Sequence, residues 1–192
     1  MKVRDEAATV WTLPNRLSII RILFIPVIVY FISTQEDGLL LASCLLFIIA
    51  GITDGLDGYL ARKMGLTSRL GVYLDPIADK LLVSSVLITL TYYHQVPLWV
   101  TLILVGREFL INGLRAFYAM EGIAVYPSSS GKIKTALQLT GISFLLFNVS
   151  NAPMDALINR IGLVIIYIAL FFSIYSAVDY LTALFRPSGL KS

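Results

Sequence analysis

Residues 39–62 read LLLASCLLFIIAGITDGLDGYLAR and hold the two opposed features that organise this chain. Leu39 to Thr53 contains no charged side chain; Asp54 and Asp57 then follow with no proline between, and the helical pattern continues to about Arg62. A long uncharged run belongs to a helix in apolar surroundings. The rest of the chain has the same character: of 192 residues, 57% are hydrophobic and 14% charged, and the mean hydropathy is +0.82. Soluble domains carry about a quarter charged residues. Soluble, disordered and nucleic-acid-binding readings are therefore excluded despite a pI near 9.0. The composition is that of an all-α integral membrane protein.

A helix rises about 1.5 Å per residue and the hydrocarbon layer is about 30 Å thick, so each crossing needs about 20 mostly apolar residues. Six such segments are predicted: about Leu17–Ser33, Leu39–Arg62, Leu74–Tyr93, a fourth from Pro97 to about Glu121, Ile133–Val149, and about Ile161–Phe185. His94-Gln95-Val96-Pro97 reads as the turn between the third and fourth. The first sixteen residues are too polar to insert and read as a short juxtamembrane helix, and no small-x-small cleavage site follows the first apolar run. Neither a composition shift nor an internal repeat divides the chain, so residues 1–192 are read as one membrane domain.

Basic residues set the orientation. Lys2, Arg4, Arg16, Arg62, Lys63, Arg69, Lys132, Lys134, Arg186 and Lys191 all fall at the termini or in the second and fourth connections. The opposite loops hold Glu36, Asp37, His94, Asp155 and one basic residue, Arg160. The positive-inside rule then places both termini of a multi-pass cell-membrane protein in the cytoplasm. Cys44, the one cysteine, lies in an apolar run and reads as a small hydrophobe.

Ionisable groups inside spans cost about 2.5–3.5 kcal/mol each at mid-helix on insertion scales and mark function. In this orientation Arg21, Asp54, Asp57, Asp75, Asp79, Lys80, Arg115 and Asp179 all fall in the cytoplasmic half. Asp54 and Asp57 are spaced i, i+3, and Asp75 and Asp79 i, i+4, so each pair projects from one helix face. Four carboxylates brought together repel unless cations sit among them. Hard oxygen donors suit Mg²⁺ or Mn²⁺, and four can hold two ions. Gly51, Gly55, Gly58, Ala61, Gly65 and Gly71 surround the acids, allowing close helix packing or close approach of a phosphorylated ligand.

The stretch Asp54-Gly-Leu-Asp57-Gly58-Tyr-Leu-Ala61-Arg62, eight residues, Gly71, three residues, Asp75, three residues, Asp79 resembles in full the signature of the CDP-alcohol phosphatidyltransferases, eight set positions over 26 residues. That resemblance implies a six-helix membrane enzyme, working as a homodimer, that uses divalent metal to move a phosphatidyl or phosphoalcohol group from a CDP-linked donor to an alcohol, releasing CMP. It implies Asp54, Asp57 and Asp75 as metal ligands, Asp79 as both ligand and candidate general base, and Gly58, Ala61, Arg62 and Gly71 as the CDP site. Arg62 has a second reading as a positive-inside anchor. Pro14-Asn15-Arg16-Leu17-Ser18-Ile19-Ile20-Arg21 with Pro26, Gly106-Arg107-Glu108-Phe109, Gly113-Leu114-Arg115 and Gly131-Lys132-Ile133-Lys134-Thr135 resemble the branch that makes phosphatidylglycerophosphate. Ser18 stands where that pattern usually has Thr.

On this reading CDP-diacylglycerol is the donor and glycerol 3-phosphate the acceptor, within a bilayer of membrane lipid. A phosphate dianion needs cations, and Arg107, Arg115, Lys132 and Lys134 are the candidates. Glu108, Asn112 and Arg115 form one polar stripe on an apolar helix. Arg107 lies about 15 Å along the helix from Pro97 and must meet a buried partner or a hydrated cavity. A structural bridge between Arg107 and Glu108, and attraction of Lys132 and Lys134 to anionic lipid, are the competing readings. Enzymes making phosphatidylserine, inositol lipids or cardiolipin from the same donor are the alternatives within the class. An ion-coupled transporter is the alternative outside it, although its acids belong near the midplane rather than in one leaflet.

Overall fold

The computed structural model describes residues 13–64, 69–120, 129–147 and 152–185, with side chains described for 16–53, 77–118, 131–147 and 154–182. These residues form six helices and no strand: α1 (Leu13–Thr34), α2 (Asp37–Met64), α3 (Arg69–Tyr92), α4 (Leu98–Met120), α5 (Ser129–Leu146) and α6 (Ala152–Phe185). Of the expected juxtamembrane segment, residues 1–12 lie outside the described residues, while 13–16 continue into α1. Two stretches, Arg16–Thr34 of α1 and Met154–Thr182 of α6, are long and apolar enough to cross a membrane.

Local chemistry explains the boundaries. α3 stops because His94 takes a left-handed φ of 59°. His94 N–H then donates to Thr91 O at 3.0 Å and Gln95 N–H to Leu90 O at 2.9 Å, which satisfies carbonyls at the helix end. The predicted turn at 94–97 is where the sequence placed it. α6 differs: it starts at Ala152, nine residues before the expected Ile161, so Asp155 and Arg160 ride on the helix instead of an outer loop. Pro153 and Asp155 in the first turn favour that start through the fixed φ of proline and the helix dipole. At 34 residues, α6 is about 51 Å long and exceeds the hydrocarbon thickness.

α1 packs against α2 and α3, α2 against α5, α4 against α3 and α6, and α5 lies most closely along α6. Their shared core joins Ile28 and Ile32, Cys44 and Phe47, Leu82, Val86 and Leu90, Leu104, Ile142 and Ile166. The Cys44 thiol donates to Ser143 O at 3.3 Å, as a buried small hydrophobe with a weak donor. Outward faces are equally apolar: Leu23 and Tyr30, Ile88, Leu102, Phe109 and Phe171 are all exposed. A monomeric soluble protein rarely shows such faces, whereas lipid tails cover them without cost.

Glycine makes the α5–α6 approach possible. A Cβ on Gly162 would lie 3.0 Å from Phe144 Cβ and 3.1 Å from Gly141 O, and one on Gly141 would lie 3.2 Å from Gly162 O. Neither backbone can give way cheaply. Gly162→Leu is expected to force the helices apart at a cost of about 1–3 kcal/mol or more, read as a lower thermal midpoint of the purified protein. An unchanged midpoint would mean the helices do not meet there.

Candidate active site

The two acidic pairs sit near the adjoining ends of two consecutive helices. Asp54 and Asp57 fall in the last three turns of α2, Asp75 and Asp79 in the first three turns of α3, and only residues 65–68 separate the helices. Asp54 lies ten residues before the end of α2 and Asp79 ten residues after the start of α3. The side chains of Asp54, Asp57, Asp75, Gly58, Ala61, Arg62 and Gly71 lie outside the described residues. Among those described, no group of three metal-capable side chains gathers. Asp79 is the described member of the set. Its side chain is 17% exposed and its Oδ2 accepts from Lys80 Nζ at 2.7 Å, so this carboxylate already carries a cation.

Lys80 leads from the aspartates to a second centre. Its Nζ is also 3.5 Å from Glu108 Oε2. Glu108, on α4, faces two more cations: Arg107 Nη1 at 3.5 Å and the Lys134 ammonium of α5 in direct contact. Glu108 and Lys134 are both buried. Glu108 keeps two cations if any one of the three is lost, whereas removing Glu108 itself would leave the buried Lys134 ammonium without this counter-charge, at a high cost. Arg107 is further committed to α6: Nε donates to Ser173 O at 3.1 Å and Nη2 to Ser176 Oγ. It thus finds both the buried partners and the cavity that its depth requires.

Arg107, Arg115, Lys132 and Lys134, the four cations singled out in the sequence, line one cavity of about 440 Å³. Lys80 lines it too, so that among the described residues five cations face Glu108 as the one carboxylate of the lining. That surplus leaves positive charge for an anionic ligand. A water-sized cavity of about 10 Å³, lined by Asp79, Ser84, Gln138 and again Lys80 and Glu108, adjoins on the α3 side. Between α2 and α5 an apolar groove of about 310 Å³ runs past Phe47, Gly51, Leu139 and Ser143, starting within one turn of Asp54.

Several lining residues were not singled out in advance as site residues. By sequence alone Lys80 is one more intramembrane charge. Ser173, Ser176 and Tyr180 form an i, i+3, i+7 polar row on α6, a spacing that could have been noticed. The intramembrane charge that the sequence offers on this helix, Asp179, is exposed, while Tyr180 next to it is buried and lines the cavity. Arg115 Cζ lies 5.9 Å from the centroid of the Tyr180 ring. Arg21 is buried at 3% exposure and is engaged with neighbouring groups.

A sequence model of the CDP-alcohol phosphatidyltransferase family matches residues 11–175. Similar proteins include one from Bacillus subtilis (strain 168), 37% identical over 182 residues, covering 88% of this chain and 93% of the relative. One from Rickettsia bellii (strain RML369-C) is 40% identical over 171 residues, covering 89% and 94%. One from Haemophilus influenzae (strain ATCC 51907 / DSM 11121 / KW20 / Rd) is 38% identical over 180 residues, covering 89% and 92%. All three carry the name CDP-diacylglycerol–glycerol-3-phosphate 3-phosphatidyltransferase. With an intact eight-position signature, five cations around one cavity beside it, and likeness along nearly its whole length, the chain belongs to the CDP-alcohol phosphatidyltransferase family.

Proposed function

We propose that this protein transfers the phosphatidyl group of CDP-diacylglycerol to glycerol 3-phosphate, forming phosphatidylglycerophosphate and CMP. The observation that carries the choice of acceptor is the cavity beside Asp79, whose five cations and single carboxylate suit a phosphate dianion. A serine or inositol acceptor would have no use for that surplus.

The donor set of Asp54, Asp57, Asp75 and Asp79 fits a hard divalent cation. It consists of carboxylates alone and falls near the adjoining ends of two consecutive helices. When bound, Mg²⁺ or Mn²⁺, two ions on this reading, would neutralise the donor diphosphate and the charge developing on the leaving oxygen. Gly58, Ala61, Arg62 and Gly71 are assigned to the CDP moiety. The groove between α2 and α5 offers hydrocarbon-lined room for the donor's chains. Arg115, Lys132 and Lys134 grip the acceptor phosphate; Arg107 adds charge while its guanidinium ties α4 to α6. The acceptor hydroxyl attacks the phosphorus bearing the lipid, its proton passes to the Asp79 carboxylate, and the bond to the CMP oxygen breaks.

The test is CMP release by purified protein with CDP-diacylglycerol, Mg²⁺ and each candidate acceptor; turnover with serine or inositol but not glycerol 3-phosphate would overturn the assignment. Arg115→Ala, Lys132→Ala and Lys134→Ala are each expected to raise KM for glycerol 3-phosphate about ten- to a hundredfold, as lost charged hydrogen bonds do. KM for CDP-diacylglycerol should barely move. Equal effects on both substrates would point to general lipid attraction.

We further propose a single membrane domain with six spans in the cell membrane, working as a homodimer, with the active site and both termini on the cytoplasmic side. A label at Lys63 or Ser192 should react only from the cytoplasm and one at Asp37 only from outside. The reverse pattern would separate the site from its soluble acceptor and overturn the orientation.

A further inference from the structure

Resting on the acceptor reading above, we infer that Tyr180 is a specificity-determining residue whose hydroxyl recognises the middle hydroxyl of the glycerol 3-phosphate acceptor. Tyr180 is 6% exposed and lines the cationic cavity from α6. Buried tyrosine hydroxyls ordinarily find a partner, because leaving one unmade in low dielectric is costly. Among the described residues the hydroxyl has one polar neighbour, the Arg115 guanidinium, in a contact short of good hydrogen-bond geometry; a guanidinium only donates, so the phenol proton has no acceptor. Arg115 Nε beside it is likewise buried and unmet.

The other hydroxyls of the lining are already used. Thr135 Oγ1 donates to Gly131 O at 3.2 Å. Ser176 Oγ donates to Ser173 O at 3.2 Å and accepts from Arg107. Among the described lining residues Tyr180 therefore holds the hydroxyl whose proton is not yet given to an acceptor, beside charges that match a phosphate. Glycerol 3-phosphate has three polar parts: the phosphate, the attacking hydroxyl, which must face Asp79, and a middle hydroxyl that takes no part in the reaction. The third needs a neutral partner that can both donate and accept, and a phenol does both. A site built this way rejects an analogue lacking the hydroxyl, since its own group is then left unpaired.

The experiment compares glycerol 3-phosphate with 3-hydroxypropyl phosphate, which lacks the middle hydroxyl, in the full-length protein and in Tyr180→Phe. The native protein should prefer glycerol 3-phosphate about tenfold in kcat/KM, the scale of one neutral hydrogen bond. Tyr180→Phe should lose that preference, chiefly through KM, while its kcat/KM for the analogue stays within about twofold of native. The preference is a ratio within one preparation, so a smaller folded fraction cancels. A Tyr180→Phe protein that keeps the native preference, slows on both acceptors alike, or turns over neither would overturn the inference. Absence of CMP release by the native protein with glycerol 3-phosphate would instead reject the acceptor reading itself.

Discussion

Asp54→Asn, Asp57→Asn and Asp75→Asn are each expected to lower CMP release by several orders of magnitude, and excess chelator to abolish it in the native protein. Asparagine has nearly the size of aspartate and preserves the helix, but it offers one neutral carbonyl where a full charge was available. In an active site partly withdrawn from water, that difference bears directly on holding a divalent ion and on neutralising a diphosphate. Contact residues around the ligand cost far less when removed, because they do not carry the charge balance of the transition state. The measurement is CMP release at saturating substrates, with helix content followed alongside. Robust turnover in chelator, or an Asp57→Asn protein near native rate with native helix content, would overturn the metal assignment.

Asp79→Asn is expected to eliminate transfer while leaving CDP-diacylglycerol binding largely intact, which separates it from the other three. Ten residues into α3 and hydrogen-bonded to Lys80 at 2.7 Å, Asp79 is linked through that ammonium to the cationic cavity, which Lys80 lines. That is where a hydroxyl must lose its proton. The substitution leaves Lys80 within 3.5 Å of Glu108, so the charge cluster behind it keeps a partner for the ammonium. Donor binding and turnover measured on the same preparation decide the matter. Joint loss of metal and donor binding would make Asp79 chiefly a ligand, and retained transfer would reject both roles.

The helical segments, the turn at 94–97 and the helical placement of the two aspartate pairs were legible in the residues themselves because each rests on local physics. A helix in apolar surroundings needs an uninterrupted apolar run, and a carboxylate at a helix spacing of three or four shares a face with its neighbour. The basic candidates were equally visible, since a charge in an apolar stretch costs enough to need a reason. The early start of α6 was hidden because Asp155 and Arg160 lowered the local hydropathy without breaking the helix.

Which of these residues meet was decided only in three dimensions, by the rotation of each helix about its own axis. One residue turns a helix by about 100°, so on α6 the exposed Asp179 and the buried Tyr180 differ by a step that hydropathy does not register. Two such steps separate Lys132, which is exposed at the cavity rim, from Lys134, buried against Glu108. Gly141 and Gly162, unremarkable in a chain with 13 glycines, acquire their importance because α5 and α6 cross where a Cβ would strike backbone. Charge and apolar length are properties of one segment and can be read along it. The pairing of Arg107 with Ser173 and Ser176, or of Lys80 with Glu108, depends on long-range packing that fixes those rotations.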